Sequence, residues 1–113
     1  ESAGSLADVK RIIRERAAGG INIKLMKTGL LESYEIAVYA KKHGLKLMMG
    51  SMMETPLAAT AAAHLAGGVG GFDWIDLDSP FFMDEHVTRG RVMSPTGVYN
   101  LPDVKSGIGV TPL

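Results

Sequence analysis

The sequence contains no cysteine, which excludes a disulfide framework, a thiolate metal site and a cysteine nucleophile. It also lacks an excess of charge, since 12 lysines and arginines balance 12 aspartates and glutamates. Without a basic cluster, neither a nucleic acid nor an anionic membrane surface is expected as a partner. Long hydrophobic runs are missing too, because the most apolar stretch, residues 56–72, is too short and too weakly hydrophobic to span a bilayer. We expect a globular protein of the reducing cytoplasm.

Apolar periodicity predicts helices that alternate with strands. The predicted helices cover residues 5–18, 30–43 and 57–66, and the predicted strands cover residues 21–26, 45–52 and 72–77. Thr28 and Gly29 are expected to turn the chain, and Thr55 followed by Pro56 is typical of a helix start. Strands that alternate with helices in this way pair in parallel through right-handed crossovers. The sequence therefore predicts an α/β fold.

Two further expectations concern the second helix and the C-terminal segment. The core face of the second helix is predicted at Leu30, Tyr34, Ala37 and Val38. After residue 80, two strands are expected at residues 91–93 and 98–101, around a turn at residues 94–97, with an irregular tail over 103–113.

Three strand–helix units are too few for a closed barrel, which needs roughly 250 residues. As an open sheet they would leave both edges unpaired. The sequence also begins at Glu1 without a methionine and enters a helical pattern almost at once. It is either a piece of a longer chain or a small open α/β domain, and we favour the piece.

A lysine stands near the end of the first predicted strand. In parallel α/β folds, chemistry is concentrated at the carboxyl ends of the strands. Strand alternation puts Asn22 and Lys24 on one face, and burying an ammonium is costly unless it is paired. Lys24 is therefore a candidate for chemistry, and the alternative is a solvated lysine at a frayed strand end. Lys27 is expected in the following loop with a structural role.

Two aspartates end the third predicted strand. Asp76 and Asp78 are two residues apart, so both carboxylates point to the same side of the strand. Because like charges repel, this arrangement favours a cation between them, either a divalent metal or a substrate ammonium. The alternative is a pair of turn or capping acids before Pro80. His64 lies within a predicted helix and is expected to be a packing or surface residue.

Several of these segments together resemble a known family. The sequences INIKLMKTG (21–29), GSMMET (50–55), TAAAH (60–64) and DLDSP (76–80) are similar to the muconate-lactonising branch of the enolase superfamily. The similarity is strongest to dipeptide epimerases of the L-Ala-D/L-Glu type. It implies that residues 1–113 are the C-terminal portion of a (β/α)8 barrel, about strands six to eight plus a C-terminal hairpin and tail. The first five strands and an N-terminal capping domain would precede Glu1.

The resemblance also implies a mechanism. Lys24 would be one of two lysines that remove and return the proton at the substrate α-carbon, and the second lysine would lie upstream of this chain. Mg²⁺ would be held by carboxylates that also precede Glu1, so no metal ligand is expected within the chain. Asp76 and Asp78 would bind the ammonium of a dipeptide.

Further roles follow from the same resemblance. Ser51 and Met53 would line the pocket beside the substrate backbone, and Glu54 would be an acid that supports the site from behind. The full-length enzyme is expected to be a homo-oligomer, and the 113 residues alone are expected to be inactive. The alternatives are another enzyme of the branch (a cycloisomerase, a succinylbenzoate synthase or an N-acylamino-acid racemase) or a non-catalytic barrel fragment.

Overall fold

A computed structural model describes residues 2–83, 87–90 and 93–113. The elements within these ranges are α1 (Leu6–Arg14), β1 (Gly20–Ile23), α2 (Leu25–Lys42), β2 (Lys46–Met49), α3 (Pro56–Val69), β3 (Trp74–Ile75), β4 (Thr88–Arg89) and β5 (Thr111–Pro112), with short 3-10 helices at Ser79–Phe82 and Leu101–Asp103. Strands β1, β2 and β3 form a parallel sheet in that order, and β4 pairs antiparallel with β5. The predicted alternation of helices and parallel strands is confirmed.

The two faces of the parallel sheet differ in burial. Ile21 and Ile23 of β1 and Leu47 and Met49 of β2 are buried in one core with the helices. Asn22, Met48 and Trp74 are level with one another on the opposite face, where Trp74 is about half exposed. The sheet therefore has one face covered by helices and one face that no described helix covers.

Helix α3 begins as predicted but ends later. The Thr55 side chain accepts a hydrogen bond from the backbone N–H of Ala58 at 3.4 Å, and Pro56 occupies the first turn. The predicted end before Gly67 is wrong, because the helix runs to Val69. A Cβ atom at Gly67 would lie 3.0 Å from Leu101 Cδ1. The glycine therefore lets Leu101 pack closely on the helix surface without ending the helix.

The first strand is shorter than predicted. It ends at Ile23, and Leu25 already begins a helical turn that Gly29 interrupts with φ 68° and ψ −177°. The predicted turn at Gly29 is confirmed, because this left-handed conformation favours glycine. The predicted continuation of the strand to Met26 is wrong. The Met26 N–H donates to a carboxylate oxygen of Glu54 at 3.2 Å instead of to a neighbouring strand.

The predicted core face of α2 is wrong except at Ala37. The buried residues of this helix are Ser33, Ile36, Ala37 and Ala40. Leu30, Tyr34 and Val38 are about half exposed. The Ser33 and Thr28 hydroxyls share a hydrogen bond of 2.6 Å within this helix. The buried side of α2 is therefore rotated from the predicted one, and its large apolar residue is Ile36.

The C-terminal segment is more ordered than predicted. The turn at residues 94–97 is confirmed by the Gly97 N–H, which donates to the Ser94 carbonyl at 3.0 Å. Of the two predicted strands around it, the described residues retain a single bridge between Met93 and Tyr99, while Arg91 and Val92 lie outside the described residues. The tail is not wholly irregular, because β5 pairs with β4. Within the described ranges, no helix has the length and hydrophobicity needed to cross a bilayer.

Candidate functional site

Lys24 follows β1 on the face of the sheet that no described helix covers. Its backbone is extended, with φ −135° and ψ 125°, although the strand itself ends at Ile23. The Gly50 N–H donates to the Ile23 carbonyl at 2.8 Å, which extends the pairing of β1 and β2 by one step. Lys24 is therefore level with Gly50 and on the same side of the sheet as Asn22. The lysine is partly buried, which disfavours a frayed and fully solvated strand end.

Asp76 reaches the same level from the other side of β2. Its N–H donates to the Met49 carbonyl at 2.8 Å, which extends the β2–β3 pairing in the same way. A row of three residues, Lys24, Gly50 and Asp76, thus lies just beyond the ends of three neighbouring strands. The Cα atoms of Lys24 and Asp76 are roughly 10 Å apart at the usual strand spacing. Gly50 between them has no side chain, and the Asn22 amide lies over it.

The segment from Asp76 to Asp78 keeps the alternation of a strand. Asp76 and Asp78 are exposed, and Leu77 between them is buried. This alternation is consistent with two carboxylates on the same side of the chain, which stays a prediction. The third strand itself is shorter than predicted and ends at Ile75. Asp78 has φ −89° and ψ −6° and leads into the 3-10 helix that follows.

Hydroxyl groups stabilise this segment where the sheet no longer does. Ser51 Oγ donates to the Asp76 carbonyl at 3.3 Å, and the Tyr99 hydroxyl donates to the Leu77 carbonyl at 2.8 Å. Burial, followed by the negative charge of Asp78, raises the pKa of Tyr99 to about 12. Tyr99 contacts the peptide group immediately before Asp78. The sequence reasoning missed this tyrosine, because no local pattern joins residue 99 to residue 77.

Glu54 is buried behind the row, with 1% of its surface exposed. Its Oε1 accepts hydrogen bonds from the backbone N–H groups of Met26 at 3.2 Å and Met52 at 3.4 Å. Its backbone carbonyl accepts a hydrogen bond from Ser79 Oγ at 3.1 Å. This one residue therefore connects the three segments that follow β1, β2 and β3. Its Oε2 is buried and has no hydrogen-bond partner among the described residues.

The remaining predicted residues lie on the loop after β2. Ser51 is partly buried beside the Asp76 backbone, and Met53 is largely exposed.

His64 is partly buried on α3, where its Nε2 is 3.2 Å from the Ile108 carbonyl, so it contacts the tail. Within the described ranges, no group of three or more His, Asp or Glu side chains is placed to hold a metal ion.

Asn22 is a second residue that the sequence reasoning left without a role. A Cβ atom at Gly50 would lie 2.5 Å from Asn22 Oδ1, so the Asn22 amide lies directly over the glycine. Its Oδ1 is buried and has no hydrogen-bond partner among the described residues. Its position two residues before Lys24 on the same face was the available signal.

We predict that Gly50→Ala in the full-length protein displaces the Asn22 amide and destabilises the fold by about 1–3 kcal/mol. Asn22→Ala should remove most of that penalty, because the added methyl group then has room. Urea unfolding of the two single variants and the double variant gives the coupling energy. Additive effects of the two substitutions would contradict the close contact.

Comparisons with known proteins identify the family of this chain. The family described as enolase C-terminal domain-like matches residues 1–113. The hydrophobic dipeptide epimerase of Citrifermentans bemidjiense is 46% identical over 112 residues, which are 99% of this chain and 30% of that protein. The aromatic dipeptide epimerase of Herpetosiphon aurantiacus is 49% identical over 110 residues, 97% of this chain and 31% of that protein.

A solved structure gives the same result in three dimensions. The dipeptide epimerase from Cytophaga hutchinsonii, complexed with Mg and the dipeptide D-Ala-L-Val, superposes with a TM-score of 0.87 at 27% identity. The match covers 99% of this chain and 31% of that structure. The chain thus spans about a third of its relatives' length and corresponds to the C-terminal part of these barrel enzymes, which confirms the predicted fold class. Because the family match extends over every residue, the chain belongs to the enolase C-terminal domain-like family.

Proposed function

We propose that the full-length protein epimerises dipeptides by removing the proton at an α-carbon and returning one to the opposite face. The observation that carries this proposal is the row in which Lys24 and Asp76 share one face of the sheet, with Gly50 between them. The names of the two relatives and of the solved structure support a dipeptide as the substrate class.

In this proposal Lys24 is a general acid–base. Its Nζ takes the α-proton on one face of the substrate, or returns one there, and a second base outside this chain acts on the opposite face. A base of this kind must be free to approach the carbon and still be kept from bulk water. The extended backbone and partial burial of Lys24 support that role.

Asp76 and Asp78 bind the substrate ammonium. The two exposed carboxylates project from the same side of the chain, so a cation between them removes their mutual repulsion. In a dipeptide, the ammonium nitrogen and the second α-carbon are about 5 Å apart. A dipeptide lying on this face can therefore contact the carboxylates with its ammonium while its α-carbon faces Lys24.

The loop after β2 completes the proposed pocket. Ser51 and Met53 lie beside the substrate backbone, and Ser51 also holds the Asp76 carbonyl. Glu54 holds the segments after β1 and β2 in place, because its carboxylate accepts hydrogen bonds from the backbone N–H groups of Met26 and Met52. Mg²⁺, held by carboxylates that precede Glu1, would neutralise the charge that develops on the substrate carboxylate.

The proposed function predicts α-proton exchange by the full-length protein. Dipeptides incubated with the enzyme and Mg²⁺ in D2O should gain one deuterium and convert between epimers, as followed by mass spectrometry and NMR. A chelator should stop the exchange, and added Mg²⁺ should restore it. Residues 1–113 alone should give no exchange.

Substrates of other enzymes in the branch serve as the control. An N-acylamino acid, a muconate and a succinylbenzoate precursor have no free ammonium for Asp76 and Asp78 to bind. Turnover of one of these, with no exchange in any dipeptide, would overturn the proposed function. The shared barrel fold and a role for Lys24 would survive that result.

A further inference from the structure

Building on the proposed function, we infer that Tyr99 is a positioning residue that directs the Asp78 carboxylate towards the substrate ammonium. The tyrosine itself touches neither the substrate nor the reacting carbon. It acts through the backbone carbonyl of Leu77, which is the peptide group immediately before Asp78.

The first step of the inference concerns the backbone around Asp78. Strand β3 ends at Ile75, so the Leu77 carbonyl accepts its hydrogen bond from the Tyr99 hydroxyl at 2.8 Å rather than from a neighbouring strand. On the other side of the residue, the Asp78 carbonyl accepts a hydrogen bond from the Phe81 N–H at 2.9 Å. Both peptide planes that flank Asp78 are therefore fixed, and together they set the direction of its Cα–Cβ bond.

The backbone of Asp76 is also held by hydrogen bonds on both sides, but by different partners. Its N–H donates to the Met49 carbonyl at 2.8 Å, and its own carbonyl accepts from Ser51 Oγ at 3.3 Å. The two aspartates thus depend on separate anchors, one on the loop after β2 and one on the C-terminal segment. Tyr99 is the anchor of Asp78, so its removal should affect one member of the pair.

The position of Tyr99 is itself well defined. Its ring packs against the buried core, and its backbone bridges to Met93. It also lines a cavity of about 300 Å³, with Pro80 and Phe81 on the segment after Asp78. Burial raises the pKa of Tyr99 to about 12, so the hydroxyl keeps its proton and remains a donor throughout the usual assay range.

Substitution of the tyrosine in the full-length protein tests the inference. Tyr99→Phe keeps the ring and removes the hydroxyl. The KM of a dipeptide should rise about tenfold, the worth of one lost hydrogen bond, while kcat changes little. The effect should be constant from about pH 6 to about pH 7, where both the tyrosine and the substrate ammonium keep their protons. A desamino dipeptide, which lacks the ammonium, should give the same kcat/KM with the variant and the native enzyme.

Two comparisons decide the outcome. Tyr34→Phe removes the same atom from a half-exposed ring on α2 and should leave both substrates unaffected. If Asp78→Asn raises the KM of the dipeptide and Tyr99→Phe does not, the inference is overturned and the proposed function stands. An equal loss for the dipeptide and its desamino analogue would also overturn it, because the role would then be general support of the fold. If Asp78→Asn has no effect either, the proposed function fails together with the inference.

Discussion

Replacing Lys24 with alanine in the full-length protein should reduce epimerisation by about a thousandfold, within the range that general acid–base groups contribute. Proton exchange should stop on the face of the α-carbon that Lys24 serves and continue on the other. One epimer should therefore still gain deuterium without inversion, while the other gains none. Exchange of each epimer in D2O, followed by NMR, measures the two faces separately.

A lysine outside the row provides the matched control. Lys42 is exposed in the last turn of α2, and Lys42→Ala should exchange both epimers at the native rate. The fold of Lys24→Ala should be intact by circular dichroism, and its affinity for Mg²⁺ should be unchanged. Continued exchange at both faces in Lys24→Ala would show that another group is the base.

Neutralising either aspartate should weaken binding of a free ammonium. Asp76→Asn or Asp78→Asn should each raise the KM of a dipeptide by about 10-fold to 100-fold, because a charge-assisted hydrogen bond is lost. The double variant should be weaker than either single one. Steady-state kinetics with a dipeptide and its desamino analogue separate this effect from a general loss of activity, since the analogue should not distinguish the variants.

The same substitutions should not lower the thermal stability of the substrate-free protein. Without substrate, Asp76 and Asp78 repel each other, so a single asparagine should leave the melting temperature unchanged or raise it. Asp103→Asn, an exposed change in the second 3-10 helix, is the control and should alter neither KM nor melting temperature. A native KM in both single variants would contradict an ammonium site between the two carboxylates.

Features that depend on local signals could be predicted from the sequence. Thr55 and Pro56 begin α3, and Gly29 interrupts the helical conformation of α2. Both could be predicted because caps and left-handed turns are encoded within a few residues. The common face of Lys24 and Asp76 also follows from strand alternation and parallel pairing. The roles that the resemblance gave to these two residues stay predictions until the variants are measured.

Features that depend on the register between distant segments could not be predicted. The buried side of α2 holds Ile36, Ala37 and Ala40, and the apolar spacing within the helix did not distinguish it from the half-exposed side. Glu54 and Tyr99 bond to backbone groups of other loops. Nearly all residues carry the same backbone N–H and carbonyl groups, so the sequence contains no signal for which of them a side chain will contact.

The buried carboxylate at position 54 has a consequence for protein engineering. Loop grafting treats the connections on a barrel rim as independent modules that can be exchanged one at a time. Here, a transplanted connection after β2 that lacks Glu54 would remove the acceptor for the Met26 amide on the preceding connection, and a different backbone path would displace the carbonyl that Ser79 uses on the following one. A redesign of this rim must therefore conserve Glu54 or rebuild all three connections together.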